Sequence, residues 1–219
     1  MINAENYLEI RGISKELCEE IFDWGKGKFD FGYAINKMGL SVDGKYIQSG
    51  EEEQDIIMDF VLYNSRVKGK RVLDLFYDSD IELGDLEENI LEGMVNSEQS
   101  IFEITAIDAD IQRCRLTLKD LLKNRSYEVI NLGLSQTCEV GVILSARIIE
   151  LEDGLGMLSG STFAFGAEDK NRLLADYSFE KLRLRKNPTQ EDLFLFSYKK
   201  SKFYGADLKH IDLNEEDEE

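Results

Sequence analysis

His210 is the only histidine in the chain, and that limits nucleophilic chemistry at once. A Ser or Cys nucleophile needs a base to take its proton. His210 lies in Asp207-Leu-Lys-His-Ile-Asp212, far in sequence from Cys18, Cys114 and Cys138, and no Gly-x-Ser-x-Gly elbow occurs. A surface or edge-strand histidine is the simpler reading. Zinc needs about four Cys or His at short spacing, which one His and three distant Cys do not supply. Asp78, Asp80 and Glu82 begin like the alternating ligands of an EF-hand loop. Leu83 then stands where Gly is required, and Asn89 where a bidentate Glu is required. A solvated acidic loop fits better. Asp153 with Glu168-Asp-Lys170, or Asp192 with Asp207-Leu-Lys209, loosely matches an Asp plus Glu-x-Lys pair holding magnesium. In a chain that is 32% charged such spacings arise by chance. Gly154-Leu-Gly-Met-Leu-Ser-Gly160 lacks the dinucleotide fingerprint and precedes a strand-like run, so it reads as a hairpin turn. No catalytic residue is assigned, and no metal or cofactor is expected.

Basic and aromatic residues interleave near the end of the chain. Lys181, Arg183, Arg185 and Lys186 precede Phe194, Phe196, Tyr198, Lys199, Lys200, Lys202, Phe203 and Tyr204. That composition suits a single-strand nucleic-acid surface. Leu193, Phe194 and Tyr198 also form a helical stripe, which is ordinary core. Lys181, Arg183, Arg185, Lys186, Lys199 and Lys200 are therefore the candidate interaction surface. They would serve a protein partner, and Lys181 to Lys186 could instead dock on this chain's own acidic half.

Charge is distributed unevenly. The 219 residues carry a net −18. Residues 1–110 hold 25 acids and 10 bases, residues 111–211 hold 13 acids and 16 bases, and residues 212–219 hold six acids and no base. Net charge disfavours nucleic acid, because neutralising phosphates takes clustered Lys and Arg. The acidic front half also suggests a mimic of nucleic acid, with Glu51, Glu52 and Glu53 at its centre. No apolar run of membrane-spanning length and no secretory signal are expected. Three widely spaced Cys read as free thiols of a cytoplasmic protein.

These residues must be positioned by the elements around them. Ser14 is placed as the cap of a helix ending near Trp24, with Ile13 and Cys18 as a hydrophobic staple. Residues 28–50 read as loop with one strand. Ser49 and Glu52 have capping-box spacing before a helix to Asn64 that buries Ile56, Ile57, Phe60, Val61 and Tyr63. Val72 to Tyr77 is open between helix and strand. Asp85 to Met94 is a helix with Leu86, Ile90, Leu91 and Met94 on one stripe. The period then changes to two. Strands are expected at Phe102–Asp108, Arg113–Leu118, Tyr127–Ile130, Val142–Ile149 and Gly156–Phe163. Five short strands suggest a small SH3-like or OB-like barrel. A helix over Glu168–Tyr177, an extended Lys181–Arg185 and a helix from Thr189 to Tyr204 follow.

The fold class is thus α+β: a mainly helical N-terminal half, a small β-barrel and a C-terminal helical segment. The divisions fall at 1–98, 99–166, 167–211 and an acidic tail at 212–219. Met58-Asp-Phe-Val-Leu-Tyr-Asn, Gly69-Lys-Arg-Val-Leu-Asp-Leu-Phe and Ser100-Ile-Phe-Glu-Ile form one set of segments, and a second set accompanies it. The second is Leu118-Lys-Asp-Leu-Leu, Leu134-Ser-Gln-Thr, Gly141-Val-Ile-Leu-Ser-Ala-Arg-Ile and Met157-Leu-Ser-Gly. Over residues 50–162 the chain resembles a family of uncharacterised bacterial proteins with a helical front half and a small barrel. Some relatives carry a SEC-C zinc knuckle, whose close-set Cys and His are absent here. The resemblance implies the barrel and no activity. A non-catalytic protein-interaction or adaptor module is the leading expectation. The alternatives are a carboxylate-based, magnesium-dependent hydrolase and a nucleic-acid-associated factor.

Overall fold

A computed structural model describes residues 4–43, 45–46, 50–151 and 154–206. Ser49 and His210 lie outside them, as do Asp153, Asp207, Lys209 and the acidic tail. Helix α1 runs unbroken over Ala4–Trp24. Its apolar period starts at Tyr7 and Ile10 and continues through Leu17 and Ile21, all buried. With no breaker ahead of it, Ser14 falls in the helix interior and caps nothing. Ile13 and Cys18 pack beside the same core rather than forming a staple. Residues 28–50 also differ from expectation. Asp30 accepts the Tyr33 amide at 2.8 Å and starts α2 (Phe31–Met38), which buries Ala34 and Met38. A short hairpin follows, β1 (Ser41–Val42) with β2 (Lys45–Tyr46).

Helix α3 spans Glu51–Asn64 and buries Ile57, Phe60, Val61 and Tyr63, with Ile56 partly covered. A second hairpin, β3 (Arg66–Val67) with β4 (Lys70–Arg71), turns at Lys68-Gly69. Val72–Tyr77 is helical (α4), with Asp74 accepting the Arg71 amide at its start. Helix α5 (Asp85–Asn96) buries Ile90, Leu91 and Met94, while Leu86 is exposed.

The five expected strands are present and close on one another. They are β5 (Gln99–Asp108), β6 (Arg115–Asp120), β7 (Ser126–Ile130), β8 (Ile143–Glu150) and β9 (Gly156–Phe165). Strands β5, β6 and β7 form an antiparallel meander. Strand β7 pairs β9 in parallel, β9 pairs β8, and β8 returns to β5. The short helix α6 (Leu132–Thr137) bridges the third and fourth strands. Of the two expected arrangements, this order and helix are the OB-like one. Phe102, Ile104, Leu116, Leu118, Val129 and Leu144 fill the interior. Their period-two spacing is the strand signal seen in the sequence.

After a 3₁₀ turn at Ala167–Asp169 come α7 (Lys170–Leu184), α8 (Gln190–Tyr204) and β10 (Gly205–Ala206), which adds to β9. Lys181–Leu184 is helical rather than extended. Lys, Leu and Arg are strong helix formers whatever their alternation, and Arg185 closes the helix in a left-handed conformation. Thr189 and Asp192 cap α8 reciprocally.

Two clusters join helices to barrel. One packs α1, α4 and α5 against Ile130, Ile149 and Met157. The other packs α2, α3 and α8 against Ile101, Ile143, Phe163 and Phe165. At the seam of α3 and β9, Asp59 Oδ2 accepts the Ser161 amide at 2.9 Å. The Tyr63 hydroxyl and Ser159 Oγ are 2.7 Å apart. The Arg147 guanidinium lies 3.9 Å from the Tyr63 ring centroid and donates to the Ser97 carbonyl at 2.8 Å. Gly160 has φ +69°, and a Cβ there would sit 1.9 Å from Asp59 Oδ1. Both the positive φ and the close approach require glycine.

Burial pushes the Asp59 carboxyl up to about 6, against the lowering pull of the Ser161 amide and Arg147. Native protein thus holds this proton to higher pH than the unfolded chain, whose ordinary value is 3.8. The contribution is complete below about 4 and is lost as pH rises through 6, up to about 3 kcal/mol in all. Urea unfolding of Asp59→Asn from pH 4 to 8 is expected to show that slope removed and stability raised near pH 7.5. An unchanged slope would contradict this origin. Gly160→Ala is expected to destabilise by ~1–3 kcal/mol.

Candidate functional site

The six basic candidates occupy two helices, and only part of the set shares one surface. Lys181, Arg183, Arg185 and Lys186 lie on the last turn of α7 and just beyond it. Lys199 and Lys200 lie on α8, which meets α7 through the Asp176–Lys200 pair and the Tyr177–Phe196 rings. Lys200 is turned inward onto Asp176, whose carboxylate also accepts from the Tyr204 hydroxyl at 3.0 Å. Those donors hold the Asp176 carboxyl below its usual range. Arg183 pairs with Glu180 one turn away, and Lys186 pairs with Asp192 at 3.2 Å. Neither Lys181 nor Arg185 makes an ion pair among the described residues. The pairs of Arg183 and Lys186 stay within the α7–α8 region and do not reach residues 1–110.

An apolar stripe lies among these cations. Phe179 is 69% exposed and Leu182 is 75% exposed, three residues apart and so on one side of α7. Ala175, one turn before Phe179, is exposed on that side. The opposite side carries Leu173 and Tyr177 into the core with Phe196. The aromatic residues that suggested base stacking are elsewhere. Phe194, Phe196 and Tyr198 are buried, and only Phe203 of that group is widely exposed.

Most described acids of the front half are exposed, Glu52 among them, and Glu53 is an exception. Glu53 is buried, where its carboxylate accepts from the Tyr198 hydroxyl and from Lys202 Nζ at 3.0 Å. Burial and this carboxylate push the Tyr198 phenol up. A groove of about 380 Å³ beside it is lined by Met38, Leu40, Lys199 and Phe203.

A second, polar cleft of about 460 Å³ lies where α5 meets the barrel. A Cβ on Gly93 would stand 2.3 Å from Ile149 Cγ2, so glycine lets the α5 backbone lie directly on β8. Asn89, Glu92 and Asn96 follow at helical spacing along one wall. Arg125, Tyr127 and Glu150 face them, and Asp120 forms part of the floor. Asp120 is fully buried. Its Oδ1 accepts Ser100 Oγ at 2.9 Å and the amides of Leu122 and Lys123 at 2.8 Å each. Its Oδ2 has no hydrogen-bond partner. One sequence signal marks this residue. Leu116, Leu118 and Asp120 share the inward parity of β6, so a carboxylate takes a core position. Arg147, likewise missed, interrupts the apolar run of β8.

The chemical candidates do not converge. Among the described residues no group of three or more His, Cys, Asp or Glu is arranged to hold a metal ion. Asp78 pairs with Lys70 at 2.9 Å and Lys170 with Glu103 at 2.7 Å. Cys18, Cys114 and Cys138 are free. Burial pushes the Cys18 thiol up to about 11, which disfavours a nucleophilic thiolate. Gly154–Gly160 forms the turn into β9 and the first half of that strand. Among the described residues no helix is long and apolar enough to cross a membrane.

The model of a family of unknown function (DUF7986) matches residues 1–210, and the chain belongs to that family. No curated protein and no solved structure matches it.

The α5 contact is open to a direct test. Gly93→Ala is expected to destabilise by ~1–3 kcal/mol through overpacking on Ile149. Gly12→Ala, where a Cβ meets nothing within 4 Å, is expected to stabilise α1 by ~0.5–1 kcal/mol. Urea midpoints of the two variants moving in the same direction would refute the packing argument.

Proposed function

We propose that this member of a family of unknown function is a non-catalytic protein-interaction module whose docking face is the outward side of α7. The partner it fits is an acidic segment carrying apolar residues at helical spacing. The observation that carries the reading is the exposed pair Phe179 and Leu182, set among Lys181, Arg183, Arg185 and Lys186. Two large apolar side chains with no intramolecular cover favour removal from water by a partner. The cations around them select one of opposite sign. Lys181 and Arg185 need no internal ion pair to be broken first. The three free thiols fit a reducing compartment, the cytoplasm.

The probe is a fluorescent amphipathic peptide with Leu and Phe on one face and Glu on the other. Anisotropy titration is expected to show saturable binding. Arg183→Glu with Arg185→Glu is expected to weaken it at least tenfold, ~1.4 kcal/mol or more. Phe179→Ser with Leu182→Ser is expected to do the same, with melting temperature held because all four side chains are exposed. Equal binding by either double variant, or by a peptide with its Leu and Phe replaced by Ser, would sink the assignment. A concentration-dependent dimer abolished by the same substitutions would identify a second copy as the occupant and displace the heterologous partner.

A further inference from the structure

We infer that the cleft between α5 and the barrel is a binding site for a small organic cation, a linear diamine or polyamine. The first argument is the buried carboxylate on its floor. Three donors saturate Asp120 Oδ1, and nothing donates to Oδ2. A buried acceptor left without a donor costs ~1–3 kcal/mol. A ligand N–H in the cleft would remove that cost, and an ammonium would also match the charge.

The second argument is the charge balance of the lining. Glu98 is neutralised by Lys123. Arg125 lies 4.9 Å from the Tyr127 ring centroid and is the remaining cation. Against it stand Asp120 on the floor and Glu92 and Glu150 at the rim, neither rim carboxylate in an ion pair among the described residues. The site therefore has an excess of negative charge distributed from floor to mouth. A linear cation with two separated ammonium groups matches that distribution better than a compact one. The third argument is size. A space of about 460 Å³ is far larger than a bare ion and falls within the ~300–1,000 Å³ usual for small-molecule sites. Asn89 and Asn96 add neutral hydrogen-bonding groups along the α5 wall.

The probe is 1,6-diaminohexane, with hexane-1,6-diol as its uncharged counterpart of similar shape. Calorimetry at 150 mM salt and amide NMR shifts would be measured on the full chain. The expected result is saturable one-to-one binding of the diamine, with the largest shifts at the Leu122 and Lys123 amides. The diol is expected to bind at least tenfold more weakly. Asp120→Asn is expected to weaken the diamine at least tenfold. Because Asp120 also holds the β6–β7 turn, Glu92→Gln with Glu150→Gln provides an independent test at the exposed rim, with severalfold weakening expected. Glu16→Gln, on the exposed side of α1, controls for the general attraction of an acidic protein and is expected to leave affinity unchanged. The inference is overturned by equal diol binding, by no binding, or by shifts spread over the surface with Glu16→Gln as damaging as the rim variant.

Discussion

The Asp59 carboxylate rests on the bare backbone of Gly160 and accepts the amide of Ser161, and that contact fixes where α3 sits on β9. Any side chain at residue 160 would occupy the space the carboxylate needs. With α3 held there, Tyr63 reaches Ser159 and receives the Arg147 guanidinium on its ring. Arg147 in turn holds the carbonyl of Ser97, the residue that ends α5. One chain of contacts thus runs from α3 through β9 and β8 to α5. Its polar groups are buried where a mispaired donor or acceptor is expensive, so the network specifies a single docking geometry more than it adds stability. The raised carboxyl of Asp59 measures the energetic penalty of that specification.

The same docking creates the polar cleft. Contact between α5 and β8 is close at Gly93, and Asn96, Tyr127 and Glu150 line the cleft beside it. Phe102 and Tyr127, in edge contact at 5.8 Å, give the cleft a firm inner wall. Asp120 is held by its own turn and by Ser100, independently of the Asp59 network. The floor is accordingly fixed by the barrel and the wall by α5. A ligand site made from two separately anchored parts needs little reorganisation on binding.

Much of the architecture was legible because burial imposes a period. Alternating Leu116 and Leu118 in β6, or Phe102 and Ile104 in β5, announce strands whatever their partners. Strand order was not legible, since pairing β7 with β9 depends on contacts remote in sequence. Local errors have local causes. Asp30 as a helix cap was hidden among glycines, and Ser14 resembled a cap only while the apolar period before it went uncounted. Lys181 to Arg185 alternated like a strand, yet Leu173 and Tyr177 upstream had already set a helical face. The candidate sites were less visible. Asp120 betrays itself by parity and Arg147 as a charge within an apolar run, but both signals are meaningful only once strand limits are known. The exposure of Phe179 and Leu182 has no local signature at all, because an apolar residue in a helix is ordinarily buried.

Net charge and local charge act here over different distances. At physiological salt the field of an exposed charge fades over about 8 Å. An acidic protein of net −18 therefore gives an approaching acidic partner no long-range attraction. In the proposed complex the four cations at the end of α7 and just beyond it would be felt only near contact, when Phe179 and Leu182 are also within reach. Association would then be governed by short-range complementarity and not by steering, and discrimination would require the apolar and the charged contacts together. Phosphate-rich chains depend on extended cationic surfaces and would be turned away by the same balance. Under the proposed reading, a basic-rimmed apolar helix face on an acidic body would suit a selected protein segment better than nucleic acid.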